Sequence, residues 1–182
     1  MKKSNFTKEL DLPYILIESL PLEEVKEKVG EWIEKGAMVQ VWNTTIPNSV
    51  NERLKLLDRD TASLLEKYEF IRFEDDEGGV SEISANFLET DLGIDHFLVI
   101  GRVDFSSWLA IKPGEQTIYH VIPRKVIFWD FRPIIRKEQP SIFHYCLYNI
   151  IWLRDFTYGW DDRVYLELAR WVIDCYLKHS QS

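Results

Sequence analysis

The sequence predicts an α+β fold with a central antiparallel sheet and helices at both ends, in a single domain that spans residues 1–182. Residues 96–121 contain three short runs rich in Val, Ile and aromatic residues, separated by turn-forming residues, which is typical of strands. The turns between these runs are too short for a crossover helix, so we expect antiparallel pairing. The segments on either side have apolar residues at helical spacing.

Composition favours a globular protein with a substantial core, because 46% of the 182 residues are hydrophobic and 14% are aromatic. No apolar run approaches the roughly 20 residues that a membrane span needs. The N-terminal residues lack the apolar segment of a signal peptide, so we expect a cytoplasmic protein without membrane contact. Cys146 and Cys175 lie among apolar neighbours in predicted helices, and we expect buried, reduced thiols.

The first third of the chain predicts two strands and two helical regions. Residues 12–17 are apolar and predict a first strand, and residues 38–42 alternate and predict a second. A helix between them is expected to open at Pro21 and to end at Gly36. Residues 51–68 predict a helix that breaks in its middle, with Asp60 as the cap of the second piece.

The rest of the chain predicts five strands, one short helix and two C-terminal helices. Residues 70–73 predict a strand, residues 74–79 an acidic loop and residues 81–89 a short helix. The three central strands are expected at residues 97–100, 108–111 and 118–121, and a further strand at residues 125–131. Two helices are expected to close the chain, the first from Pro140 and Ser141, the second capped by Asp161 or Asp162.

The net charge of −8 is concentrated in one segment, because residues 69–95 contain nine acidic residues and a single base, Arg72. Such a chain does not favour nucleic acid as a partner, since lysine and arginine dominate phosphate binding. It favours a basic protein partner, although solvated acidic loops are the ordinary alternative. The residues predicted to contact a partner are Glu74, Asp75, Asp76, Glu77, Asp91 and Asp95.

No catalytic or cofactor motif is present, and none of the four histidines forms a helical metal-binding pair, so we expect no metal and no cofactor. His120 lies in a predicted strand, where a hydrogen-bonded core histidine is more common than a general acid or base. Asp104 follows a strand and is a candidate catalytic carboxylate, although turn chemistry is the more common role. Four acidic residues near Trp160 could together hold a divalent ion, although helix capping is the favoured role. They are Asp155, Asp161, Asp162 and Glu167.

Seven tryptophans offer a second route to partner binding. Three lie on predicted helical stripes and are expected in the core: Trp32, Trp152 and Trp171. Four lie near strand ends or turns: Trp42, Trp108, Trp129 and Trp160. Exposed tryptophans anchor many protein interfaces, but core packing is the favoured interpretation for each of these four.

The central pattern resembles the SUKH superfamily, bacterial toxin-immunity proteins related to fungal cell-wall-synthesis regulators. Its elements here are an apolar strand that ends in Gly101, a second short strand, a turn at Pro113 and Gly114, and a strand that begins Ile118-Tyr119. The resemblance implies a single α+β domain that binds and blocks a toxin, often a nuclease, without catalysis. Two alternatives remain open: a small hydrolase that uses carboxylates or His120, and a regulatory protein-interaction module.

Overall fold

Seven strands cross one antiparallel sheet in the order in which they occur in the chain. The structure is a computed structural model that describes residues 6–123, 133–157 and 163–181. Each strand pairs with the next, so neighbours in sequence are neighbours in space. The strands are β1 (Met38–Val41), β2 (Tyr68–Glu74), β3 (Val80–Ile83), β4 (Leu98–Val103), β5 (Ser107–Ile111), β6 (Ile118–Ile122) and β7 (Ile134–Gln139).

Helices precede, interrupt and follow the strands, which confirms the predicted α+β class. Two lie before β1, two lie between β1 and β2, and two follow β7 in the described part of the chain. They are α1 (Phe6–Ile17), α2 (Leu22–Gly36), α3 (Asn48–Leu54), α4 (Arg59–Lys67), α5 (Ile142–Thr157) and α6 (Arg163–Ser180). A 3₁₀ turn, Ala85–Glu89, connects β3 to β4. None of the described helices is both long enough and apolar enough to cross a bilayer.

The register of the sheet separates a core face from an outer face. Ile71 pairs with Ile83, Ile83 with Gly101, and Gly101 with Leu109, so these residues share one face. The side chains of Ile71, Ile83 and Leu109 are buried, and α5 packs against this face while α2 packs against α5. Each described helix and each strand except β7 contributes at least one residue to a single hydrophobic cluster.

A neutral histidine links the segment between α1 and α2 to the start of α5. The Nε2–H group of His144 donates to the carbonyl of Leu20 at 2.9 Å, and its Nδ1 atom accepts from the Ser141 hydroxyl at 2.7 Å. The Ser141 oxygen in turn accepts from the backbone N–H groups of Phe143 and His144 at the start of α5. This arrangement fixes one neutral tautomer, and burial lowers the pKa of His144.

Two predicted elements are wrong. Residues 12–17 belong to α1 and not to a strand, although Pro13 lies inside the helix. A short apolar run does not distinguish a strand from a buried helix, and contacts with α5 and α6 decide the outcome. Residues 81–89 begin in β3 and continue into the 3₁₀ turn instead of forming one helix.

Other predictions have mixed outcomes. The second strand, the broken helix, the three central strands and the helix after Ser141 are present. The cap of α4 is Asp58 and not Asp60, because the Asp58 carboxylate accepts from the N–H groups of Asp60 and Thr61. Strand β7 is an additional strand, which we do not predict from the sequence. The predicted strand at 125–131, Trp129, Trp160, Asp161 and Asp162 lie outside the described residues, as does the side chain of Asp155.

Gly101 is expected to tolerate no larger residue. A Cβ atom at this position would lie 2.4 Å from the Glu82 carbonyl oxygen, which belongs to the backbone of β3. We expect Gly101→Ala to lower the free energy of unfolding by about 1–3 kcal/mol, since the strands must move apart. Gly30→Ala is the matched control, because nothing lies within 4 Å of that position in α2, and it should stabilise by about 0.5–1 kcal/mol. Urea denaturation measures both; similar values for the two variants would contradict the expectation.

His144 is expected to make the fold sensitive to acid. Because its pKa in the folded state lies below that in the unfolded state, the unfolded chain binds a proton first as the pH falls. The His144 contribution to stability is therefore fully present above about pH 6.5 and decreases below it. His144→Gln removes this titration, so the stability of the variant should fall less between pH 7 and pH 5. Thermal melts across that range measure the difference, and parallel curves for the two proteins would exclude it.

Candidate functional site: the hairpin end of the sheet

Two hairpin turns lie side by side at one end of the strands. Residues 75–79 connect β2 to β3, and residues 104–106 connect β4 to β5. Since β3 pairs with β4, the turns are neighbours, and we call them the hairpin end. The N–H of Val80 donates to the Asp104 carboxylate at 2.8 Å, and the N–H of Asp104 donates to the Val80 carbonyl at 2.7 Å. Asp104 therefore holds the two turns together.

The acidic loop divides into structural and exposed carboxylates. Asp75 accepts hydrogen bonds from the N–H groups of Glu77 and Gly79, at 2.9 and 2.8 Å, and so shapes its own turn. Glu74 lies 3.1 Å from the guanidinium of Arg72. The side chains of Asp76 and Glu77 are exposed at the tip of the turn. Of the four predicted contact residues in this loop, these two are the ones that a partner can reach most easily.

The six predicted contact residues do not form one surface. Asp91 and Asp95 precede β4, whereas the hairpin end follows the last residue of β4. A six-residue antiparallel strand is about 20 Å long, so roughly that distance separates the two groups. Asp91 accepts from the N–H of Gly93 at 2.7 Å and shapes a separate turn. The structure therefore divides the acidic segment between the two ends of the sheet.

The turn of residues 104–106 holds an aromatic side chain in an unfavourable position. Asp104 and Phe105 have φ angles of 50° and 58°, and the N–H of Ser106 donates to the carbonyl of Val103, as in a type I′ turn. Glycine and asparagine favour such positions, whereas a bulky residue is rare there. The Phe105 side chain is also 66% exposed. Strain of this kind often persists because a function requires it.

Phe105 belongs to a cluster of aromatic residues around Arg102 on the outer face of the sheet. The Arg102 guanidinium lies 4.7 Å from the centre of the Phe105 ring and 5.6 Å from that of Phe87. The Phe87 and Trp108 rings meet edge to face at 6.1 Å. Aromatic residues and arginine are the types that most often dominate binding energy at protein interfaces. We call Phe87, Arg102, Phe105 and Trp108 the aromatic cluster.

Trp42, the other described tryptophan predicted near a strand end, does not extend this cluster. Trp42 is half-buried against the core, and its indole N–H donates to the Leu65 carbonyl at 2.9 Å. Trp108 is half-buried as well, so exposure of the cluster comes mainly from Phe105. Core packing, the favoured interpretation, holds for Trp42, while Trp108 packs with the outer-face residues of the cluster.

A pocket of about 280 Å³ lies on the opposite face, between the sheet and α5. Its wall includes Asp75 and Asp104 from the hairpin end, His120 from β6 and Tyr145 from α5. The Tyr145 hydroxyl is hydrogen-bonded to the Ser81 hydroxyl. Burial raises the pKa of Tyr145 above its usual range, so the phenol stays neutral and acts as a hydrogen-bonding group.

The structure brings His120 and Asp104 into this pocket but not into contact. The Nε2 atom of His120 lies 2.6 Å from the Ser107 hydroxyl. A serine and a histidine hydrogen-bonded in this way are two of the three residues of a catalytic triad. Asp104 instead accepts from Val80, and no carboxylate among the described residues hydrogen-bonds the His120 ring. The orienting third group of a catalytic triad is thus missing from the described part of the site.

A second group of metal-binding residue types lies between α2 and α6. Ligand atoms of Glu24, Cys175 and His179 lie within 4.8 Å of one another, and a cysteine and a histidine four residues apart share one helix face. A search limited to pairs of histidines misses this combination. The Lys178 ammonium lies 3.0 Å from Glu24, and the pKa of Glu24 is lowered to about 2, chiefly by His179. Burial and Glu24 raise the pKa of Cys175 to about 12, so the group acts as an ion cluster around a neutral thiol.

Comparisons with known proteins identify no relative. No protein-family model, no curated protein and no solved structure matches this chain. The resemblance to the SUKH superfamily therefore stays a prediction.

Sequence reasoning missed Phe105 and Arg102, although one signal was available. Residues 104–106 separate two apolar strands, and a turn this short is expected to need positive φ angles. A phenylalanine there gains neither burial nor a favoured backbone conformation. Such a mismatch between residue type and position is where a functional residue is expected.

The strain at Phe105 predicts an unusual order of stability. Phe105→Gly and Phe105→Ala both remove the ring, but only glycine adopts a positive φ without cost. We expect the glycine variant to be more stable than the alanine variant by about 1 kcal/mol. At a position with an ordinary negative φ the order would be reversed. Chemical denaturation of the pair measures the difference, and an alanine variant of equal or greater stability would show that the turn is not strained.

Proposed function

We propose that this protein is a non-catalytic, immunity-type binding protein that neutralises a basic protein toxin in the cytoplasm. The observation that carries the proposal is Phe105, an exposed aromatic residue held at a positive φ beside Arg102. Neither the exposure of Phe105 nor its backbone strain stabilises the free protein. Both are explained if a partner buries this side chain on binding. The resemblance of residues 97–119 to the SUKH superfamily supports the same function.

The negative charge of this chain supports a basic protein as its partner. The chain has a net charge of −8, and Asp76 and Glu77 are exposed beside the aromatic cluster. A nuclease must bind phosphates and therefore presents lysine and arginine at its active site. Acidic residues around an aromatic centre would accelerate capture of such a surface, and the aromatic centre would retain it. A nuclease is accordingly the toxin class that fits best.

A hydrolase is the second candidate, because His120, which lines the pocket, is hydrogen-bonded to the Ser107 hydroxyl. The two functions respond differently to one variant. His120→Gln removes a general base but leaves the hairpin end intact, so it abolishes hydrolysis and preserves toxin neutralisation. A regulatory interaction module would bind a partner through the same hairpin end without protecting against any toxin.

The decisive experiment expresses the chain together with the secreted protein encoded next to it in its source genome. Immunity predicts that cells survive the toxin only when this chain is present, and that the two proteins co-elute as one complex. The complex should form more slowly at 500 mM than at 50 mM salt, since salt screens electrostatic steering. Cell death despite full expression of the chain would contradict the proposal.

Two pairs of charge substitutions locate the contact surface. Asp76→Asn with Glu77→Gln removes two charges at the hairpin end, and Asp91→Asn with Asp95→Asn removes two charges at the opposite end of the sheet. We expect the first pair to slow association roughly tenfold and the second to have little effect, because the distance between the ends exceeds the Debye length. Asp75 is left unchanged because it accepts from two backbone N–H groups in its turn. Asp91 accepts from one, that of Gly93, and the amide oxygen in Asp91→Asn can still accept it.

Surface plasmon resonance with the toxin measures both association rates. Phe105→Ala, in the same assay, should raise the dissociation constant by about 30-fold, as for a central interface residue. Equal effects of the two charge pairs would indicate general attraction without a contact at the hairpin end. An unchanged dissociation constant for Phe105→Ala would remove the aromatic cluster from the interface.

A further inference from the structure

The charged residues in the described lining of the pocket between the sheet and α5 are all acidic. Three carboxylates line it, from Asp75, Asp104 and Glu138, and its described lining includes no lysine or arginine. Asp75 and Asp104 each hydrogen-bond backbone N–H groups, which fixes their positions but leaves their negative charges in place. Such a wall favours a cation over a neutral or an anionic group.

Aromatic and hydroxyl groups complete the pocket. Tyr148 and Trp152 lie one helical turn apart on α5 and line the same space. Aromatic rings attract cations through their faces, and a planar guanidinium can also stack on them. Below them, Ser81 and Tyr145 are buried, and their hydroxyls are hydrogen-bonded to each other inside the pocket wall.

Volume limits the occupant to a small group. About 280 Å³ lies just below the roughly 300–1,000 Å³ of pockets that enclose drug-sized ligands, so a single long side chain fits better than a nucleotide. Asp75 and Asp104 belong to the hairpin end, so the pocket and the proposed contact surface share residues. A partner that covers the hairpin end can therefore reach into the pocket from the same side.

We propose that the pocket receives an arginine side chain of the protein partner. This inference rests on the proposed function and deepens it. Arginine suits the pocket better than lysine, because its planar guanidinium presents several N–H donors at once and can donate to two carboxylates. An arginine of a nuclease that is held by Asp104 and Glu138 no longer contacts phosphate, which gives neutralisation a direct physical cause.

The isolated protein provides the first test, with N-acetyl-arginine amide as the probe. His120 and Asn149 both line the pocket, and we expect their amide resonances to shift in two-dimensional NMR spectra as the probe is added at millimolar concentration. N-acetyl-citrulline amide has nearly the same shape without the charge and should cause no such shifts. The inference is wrong if the pocket resonances do not move, or if citrulline moves them equally.

Two substitutions make this test specific. Glu138→Gln removes one carboxylate of the pocket and should weaken binding of the arginine probe roughly tenfold, as expected for a charge-assisted contact. Glu115→Gln is the matched control, because it removes the same charge at an exposed position outside the pocket lining. Equal weakening by both substitutions would show that the probe responds to net charge and not to the pocket.

The toxin complex separates this inference from the proposed function. If Phe105→Ala weakens the complex and Glu138→Gln does not, the immunity function stands and the arginine pocket is wrong. If the arginine probe binds the pocket while the chain fails to protect cells, the pocket stands and the immunity function is wrong. Support for both requires that Glu138→Gln weakens the complex and that Glu115→Gln leaves it unchanged.

Discussion

Sequential antiparallel pairing is the constraint on which the rest of this structure depends. Because each of the seven strands pairs with the next, successive connections alternate between the two ends of the sheet. The connections that follow β2 and β4 therefore meet at one end, where Asp104 hydrogen-bonds Val80. The connection that precedes β4 lies at the other end of the sheet, and it contains Asp91 and Asp95. A contiguous acidic segment becomes two separate groups for this reason alone.

The same pairing assigns a role to each face of the sheet. Alternation along the strands directs Leu109 to the core and Trp108 to the outer face, so the aromatic cluster and the pocket lie on opposite sides of the same strands. Asp104 serves both, because its turn also contains Phe105 and its carboxylate lines the pocket. Its hydrogen bonds to Val80 give the hairpin end a defined shape without a partner, which reduces the entropy lost on binding.

The sequence predicts the fold where its signals are local, and fails where distant contacts decide. Residues 97–121 contain alternating apolar residues and turn residues that agree with one another, and their three strands are found. Residues 12–17 favour a strand by composition but form the last turns of α1, because α5 and α6 offer a surface for a helix. The candidate site was harder to predict: charge pointed to residues 74–77, but only the register of the sheet brings Phe105 beside them.

The hydrogen bond between His144 and Leu20 has a consequence for folding during translation. The two residues are 124 positions apart, so the helix pair at the start of the chain leaves the ribosome long before α5 exists. At about 5–20 residues per second, this delay is about 6 to 25 seconds. During that interval the apolar stripe of α2, formed by Val25, Val29 and Ile33, has no helix α5 to cover it. The part of this stripe that α5 covers in the folded protein therefore stays unburied by α5 until synthesis has passed residue 157, which is a consequence of the long sequence separation between the two helices.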